Sequence, residues 1–143
     1  MWRTTAPSTC DGDLMAATFT RHDPSGVPTP QGGYTHGLEV SHPSRWLLIS
    51  GQIPEQQDGQ VPDSAEEQCR VIWDHIRATL DAAAMSVTDI VKVTTYLSSR
   101  DIAGANSAVR NEVLGDHRPA LTVVVAKIFD PAWLLEIEVV AAA

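Results

Sequence analysis

Between residues 65 and 97 the apolar period of the chain changes, and that change limits the folds open to it. Cys69, Ile72, Ile76, Leu80 and Ala83 recur at three- and four-residue intervals, the spacing of one buried helix face. Soon afterwards Ile90 to Leu97, within "DIVKVTTYL", alternate with a period of two and are rich in β-branched residues, which predicts a strand. A helix with one greasy face next to a strand with one greasy side buries the two against each other, so a layered α and β architecture follows. Asp63 or Ser64 is placed to cap the helix, with Glu66 and Glu67 in its first turn at the positive end of the dipole.

The flanking segments complete the pattern. Leu38 to Val40 and Trp46 to Ser50 read as short strands, and the intervening "SHPSR" suggests a hairpin. Asp101 begins a second helix that runs past Asn106 and Val109 to Leu114, with Gly115 as its stop. "ALTVVVAKI" and "WLLEIEVVA" give two last strands, split by Asp130-Pro131. The order strand, strand, helix, strand, helix, strand, strand predicts an α+β fold with both helices on one sheet face. Residues 1–30, rich in Pro, Gly, Ser and Thr, read as a flexible N-terminal tail in which Met15 would serve equally well as a natural start. Residues 31–143 read as one domain.

Charge narrows the partners. The chain carries a formal net charge of −8 with only 10 Lys and Arg residues, and no basic run interrupts that balance. Nucleic acid and anionic membranes are bound largely through clustered Lys and Arg, so neither is expected as a partner. The N-terminus lacks the apolar core of a secretory signal and no stretch approaches membrane-spanning length. Cys10 and Cys69 form no CxxC pair, and Cys69 falls on the helix's apolar face as a small buried hydrophobe. A cytoplasmic, reducing location is the expectation.

The motifs of metal, nucleotide and serine chemistry do not occur. His22, His36, His42, His75 and His117 show neither HxH nor HExxH spacing, and no GxSxG, P-loop or GxGxxG follows a strand. No metal or cofactor is expected. Two features remain. In "ISGQIP" a strand ends at Ser50 and Gly51, where glycine either closes the strand or lets a small molecule dock against the backbone. In "LLEIEVV", Glu136 and Glu138 are two apart and point to one side, while Leu135, Ile137 and Val139 point to the other. That acidic side is either a solvated face or holds a carboxylate in a cleft, able to position water or move a proton.

Taken in order, "SGQIP" after a strand, "DIVKVTTYL", Asn106 inside the next helix, "RPA" before a strand and the terminal "EIEVVA" resemble the Rid family of reactive intermediate deaminases, also called YjgF-like or L-PSP proteins. The resemblance covers approximately Gly33 to Ala142. It implies a chorismate-mutase-like mixed sheet with two helices on one face, assembled as a homotrimer with ligand clefts between subunits. It also implies hydrolysis of amino-acid-derived enamines and imines, such as 2-aminoacrylate, to 2-keto acids and ammonia without a cofactor. By position, Tyr34 resembles the cleft tyrosine, Ser50 and Gly51 the backbone that meets the ligand, Asn106 a cleft asparagine, and Glu136 the carboxylate that positions water. Without the resemblance, Tyr34 reads as a core strand residue and Asn106 as an exposed helix residue.

One departure bears on the ligand. Family deaminases carry Arg after Pro-Ala or Pro-Thr as an anion clamp, whereas this chain has Leu121, and Val123 replaces the usual cysteine. Arg118 lies three residues before Leu121, and an odd separation in an extended strand sends the two side chains to opposite faces. Loss of a charge-assisted bidentate contact forfeits about 1.5–3 kcal/mol, roughly ten- to a hundred-fold in affinity. The expected ligand is therefore less polar, or places its anion elsewhere, with Leu121 and Val123 lining the cleft. A non-catalytic trimer that binds a small metabolite is the alternative. Endoribonuclease or translation-inhibitor activity, described for some relatives, is disfavoured by the acidic balance.

Overall fold

The computed structural model describes residues 15–143. Cys10 and the segment before Met15 lie outside the described residues. The elements are β1 (Thr18–His22), β2 (Gly37–Ser41), β3 (Trp46–Gln52), α1 (Ala65–Ala82), β4 (Ile90–Leu97), α2 (Ala103–Leu114), β5 (Ala120–Val125) and β6 (Leu135–Ala142). Four strands form a mixed sheet in the order β3-β6-β4-β5, parallel between β4 and β5 and antiparallel elsewhere. β1 and β2 form a separate antiparallel pair.

Each main element forms for the reason its sequence gives. Ser64 caps α1 by accepting a hydrogen bond from the Glu67 backbone N–H, and Glu66 and Glu67 occupy the first turn. Cys69, Ile72, Trp73, Ile76 and Leu80 turn inward from α1 and meet Ile49, Val93, Leu97, Ile137 and Val139 of the sheet. Val109 and Leu114 bring α2 into the same cluster. Both helices therefore cover one sheet face, and the other is left open.

Cys69 is fully buried, and burial pushes its thiol up to about 12. No thiolate forms at neutral pH, so iodoacetamide is expected to leave Cys69 unmodified in native protein and to label it only after unfolding. Labelling of Cys69 at the native state, located by peptide mapping, would contradict this burial.

Two local expectations change. "TFTRH" lies within the segment read as tail, yet it forms β1 and pairs with β2 from Thr18↔Ser41 to His22↔Gly37. Only Phe19 of this strand is even half-buried, so it carries no apolar alternation to announce it. Polar contacts hold it instead. His22 Nε2 lies 2.7 Å from Glu39, and Asp23 accepts from Thr35 Oγ1 and from the His36 N–H.

The hairpin between β2 and β3 does not form. His42 adopts φ 58°, and the backbone N–H groups of Ser44 and Arg45 donate to the Ala143 carbonyl, which carries the chain onto the edge of β6. β3 then pairs with β6 rather than with β2.

Candidate functional site

Opposite β6, Ile49 faces Val139 but Gln52 faces Ile137. Three residues of β3 thus span two of β6, which places a β-bulge at Ser50 and Gly51. The bulge frees this backbone from regular pairing at the point where the sequence reads "SG", and Ser50 is exposed. Gly51 has an unremarkable φ, so the left-handed region is not what requires glycine here. Space is. A Cβ at Gly51 would lie 2.8 Å from Glu136 Cδ and 3.1 Å from Cγ, and would overlap its carboxylate oxygen. The Glu136 carboxylate therefore rests directly on the glycine backbone.

Glu136 holds that place because β6 alternates. Leu135 and Ile137 are buried under the helices, so Glu136 and Glu138 point to the open face. Glu136 is half-buried while Glu138 is exposed. Tyr96, opposite Glu136 on β4, donates its hydroxyl diagonally to Glu138 at 3.3 Å. The Glu138 charge, with partial desolvation, holds the Tyr96 hydroxyl above its ordinary range, so it remains a neutral donor. Lys92 donates to Thr122 Oγ1 at 2.6 Å. Register keeps it from facing Glu138, since Lys92 lies opposite Val140 and Thr94 lies opposite Glu138.

A second group gathers at the far edge of the sheet. Tyr34, Leu121 and Val123 line one hollow of about 350 Å³ together with Gln31, Ser107 and Arg110. Leu121 and Val123 lie beside Val93 and Thr95, both buried, which puts them on the helix-facing side of β5. Gly32 and Gly33, at φ 87° and 85°, turn the chain before Tyr34, a conformation that side chains other than glycine rarely adopt.

Asn106 lines neither feature. It is buried, with its Oδ1 4.0 Å from Cys69 Sγ, while its neighbour Ser107 reaches the hollow. Arg118 is also elsewhere, donating to the carbonyls of Gly115 and His117. Arg110 escaped notice in the sequence. It follows Asn106 by four residues and so shares its helix face, a spacing that places both inward.

The two groups cannot meet within one chain. β6 and β4 intervene between β3 and β5, a separation of roughly 14 Å from the usual strand spacing. They also occupy opposite sheet faces. A further hollow of about 570 Å³ at the start of α1 is lined by Gln56, Gln60, Asp63 and Glu67 and touches neither group. Among the described residues, no three His, Cys, Asp or Glu side chains are gathered to hold a metal, and no helix is long and apolar enough to cross a membrane.

These features define an α+β domain whose polar surface is divided between a bulged strand bearing a carboxylate and an edge hollow beneath a helix. The chain belongs to the Endoribonuclease L-PSP family, the Rid or YjgF-like proteins, whose family model it matches over residues 25–143. It is 32% identical over 117 residues to a RutC family protein of Pyrococcus horikoshii, covering 80% of this chain and 90% of that protein. It is 32% identical over 83 residues to the 2-iminobutanoate/2-iminopropanoate deaminase of Escherichia coli K12, covering 57% of this chain and 62% of that one. Among solved structures, the Rid family protein YyfB of Yersinia pestis superposes with a TM-score of 0.76 at 23% identity, covering 87% of this chain and 98% of that one. Yeast Mmf1 gives 0.65 at 24%, with 87% and 98% covered. At these identities the structures establish the shared fold.

Proposed function

We propose that the protein is a hydrolase of small imines and enamines that works in a cleft between subunits of a homotrimer, with Glu136 positioning the attacking water. The observation that carries this reading is the contact between Glu136 and the bulged backbone at Gly51. It places a half-buried carboxylate beside backbone that has left the strand ladder, so a proton acceptor and a docking surface adjoin. An enamine first takes a proton at carbon and gives one up from nitrogen to become an imine. Water then adds to the imine carbon, giving up a proton to Glu136, and the carboxyl returns that proton to nitrogen. The added hydroxyl then passes its proton through the same carboxylate to nitrogen, and ammonia leaves as the carbonyl forms, so one imine and one water become one ketone or keto acid and one ammonia.

Assembly is supported by the open sheet face. Trp46 and Leu48 of β3 are 53% and 76% exposed, and Val123, Val124 and Val125 leave the edge strand β5 apolar and unpaired on one side. A neighbouring subunit that covers these residues would bring its own edge hollow toward Gly51 and Glu136. Relatives named for imine deamination support the reaction class.

Leu121 favours a second reading, a trimer that binds a small metabolite without turnover, because β5 presents no charge to the hollow. Ammonia release from a panel of imines, some with and some without a carboxylate, separates the two. Release from at least one imine is expected, and silence across the panel would leave the binding role. Salt-sensitive cleavage of RNA by nuclease-free protein would move the assignment to a ribonuclease.

A further inference from the structure

Arg110 is 5% exposed, yet it lines the same hollow as Tyr34, Leu121 and Val123. Among the described residues its hydrogen bonds run from Nη2 to neutral acceptors, the Gly32 carbonyl at 2.9 Å and Asn111 Oδ1 at 3.3 Å. Its buried Nε–H finds no acceptor among those residues. Among the described residues no carboxylate pairs with it, although Arg70 is held by both Glu66 and Glu112 and Arg77 lies near Asp74. A buried cation without a counter-charge is costly, and chains rarely keep one without use for it. Burial alone lowers its pKa, but a guanidinium remains charged throughout the neutral range.

The surroundings are built to hold that guanidinium in place. The two consecutive left-handed glycines present the Gly32 carbonyl to Nη2, and Gly33 packs so closely on Asn111 that a Cβ would lie 2.7 Å from its Oδ1. The rest of the lining is neutral: Gln31, Tyr34, Ser107, Leu121 and Val123. One cation in a neutral hollow, with donors to spare, lacks an anion of a few atoms.

We infer that Arg110 is the specificity-determining residue of this cleft, receiving the carboxylate of a small 2-imino or 2-oxo acid from the helix side, so that strand β5 needs no charge. The inference rests on the reading of this hollow as part of the substrate cleft. It also gives Leu121 a role, since a second cation on β5 would repel Arg110 across the hollow. The ligand's anion is met by helix α2, and Leu121 and Val123 pack against its apolar part.

The test compares 2-oxobutanoate with its neutral amide, 2-oxobutanamide, by calorimetric titration of the intact protein. Wild type is expected to bind the acid at least about tenfold more tightly than the amide. Arg110→Gln should weaken the acid roughly ten- to a hundred-fold and leave the amide within about twofold. Arg110→Lys, which keeps a cation without the planar fork, should fall between. Equal weakening of acid and amide would mean that Arg110 merely fastens the glycine turn, and the inference would fail. An acid-to-amide ratio near one in wild type would overturn it without any variant, so a misfolded Gln protein does not rescue it. If acid binding follows Arg110 while no imine releases ammonia, the anion site stands and the hydrolase reading falls. If imines lacking a carboxylate turn over as fast as those bearing one, the hydrolase reading stands and the anion site falls.

Discussion

Replacing Glu136 by Gln is expected to lower the rate of ammonia release by about 10²–10⁴-fold while leaving the affinity for 2-oxobutanoate nearly unchanged. The substitution keeps the size and shape of the side chain and removes only its ability to take and return a proton. Glu136 is half-buried on the open face and its side chain makes no hydrogen bond among the described residues, so the fold loses little. Glu138→Gln supplies the control. Glu138 lies on the same face but is exposed and is engaged by Tyr96, so its loss should alter the rate only slightly. Stopped-flow detection of ammonia from freshly generated imines makes both comparisons. Equal losses in the two variants would remove Glu136 from its assigned position, and full activity in Glu136→Gln would exclude it as the proton carrier.

Gly51→Ala is expected to leave the protein folded and nearly inactive. Its φ permits alanine, so no backbone strain opposes the change. The new methyl group would overlap the Glu136 carboxylate, the free end of a flexible side chain, which can swing aside. Displacing a reacting group by about 1 Å typically costs on the order of a hundredfold in rate. The change in unfolding free energy should stay within about 0.5 kcal/mol, as for other substitutions without a core or hydrogen-bond cost. Circular dichroism melts read the stability and the ammonia assay reads the rate. A large loss of stability with activity to match would show that the glycine serves packing alone, and an unaffected rate would show that the carboxylate does not act where it now rests.

The layers of this fold were legible because their residues follow one period at a time. α1 and β4 keep their apolar spacing without interruption, and β6 separates Leu135, Ile137 and Val139 cleanly from its two carboxylates. β1 was missed because "TFTRH" is held by ladder bonds and by His22, Glu39 and Asp23, none of which leaves an apolar pattern. "SHPSR" has the chemistry of a turn, and a turn within a hairpin looks the same in sequence as one that crosses between sheets.

The carboxylate and the glycine of the candidate site were readable by family pattern, but their contact was not. A bulge is a mismatch in residue count between two strands, and it exists only once β3 and β6 are paired. Arg110 was hidden by a different effect. The inward face of α2 comprises Asn106, Val109, Arg110 and Leu114, so half of it is polar and the helix lacks the apolar stripe that marks α1. A charged residue on such a helix reads as solvated until the hollow beneath it is known.

The decisive measurement mixes two inactive proteins. Glu136→Gln disables the bulge half of each cleft, and Val123→Trp obstructs the hollow from an exposed edge position without entering the core. If every cleft joins Glu136 of one subunit to the hollow of the next, equal co-expression of the two variants should rebuild intact clefts in about one quarter of positions, since each half is undamaged with even odds. Ammonia release near a quarter of the wild-type rate is the expected result. Mixed assemblies, verified by native mass spectrometry, that stay as inactive as the separate variants would contradict a shared cleft.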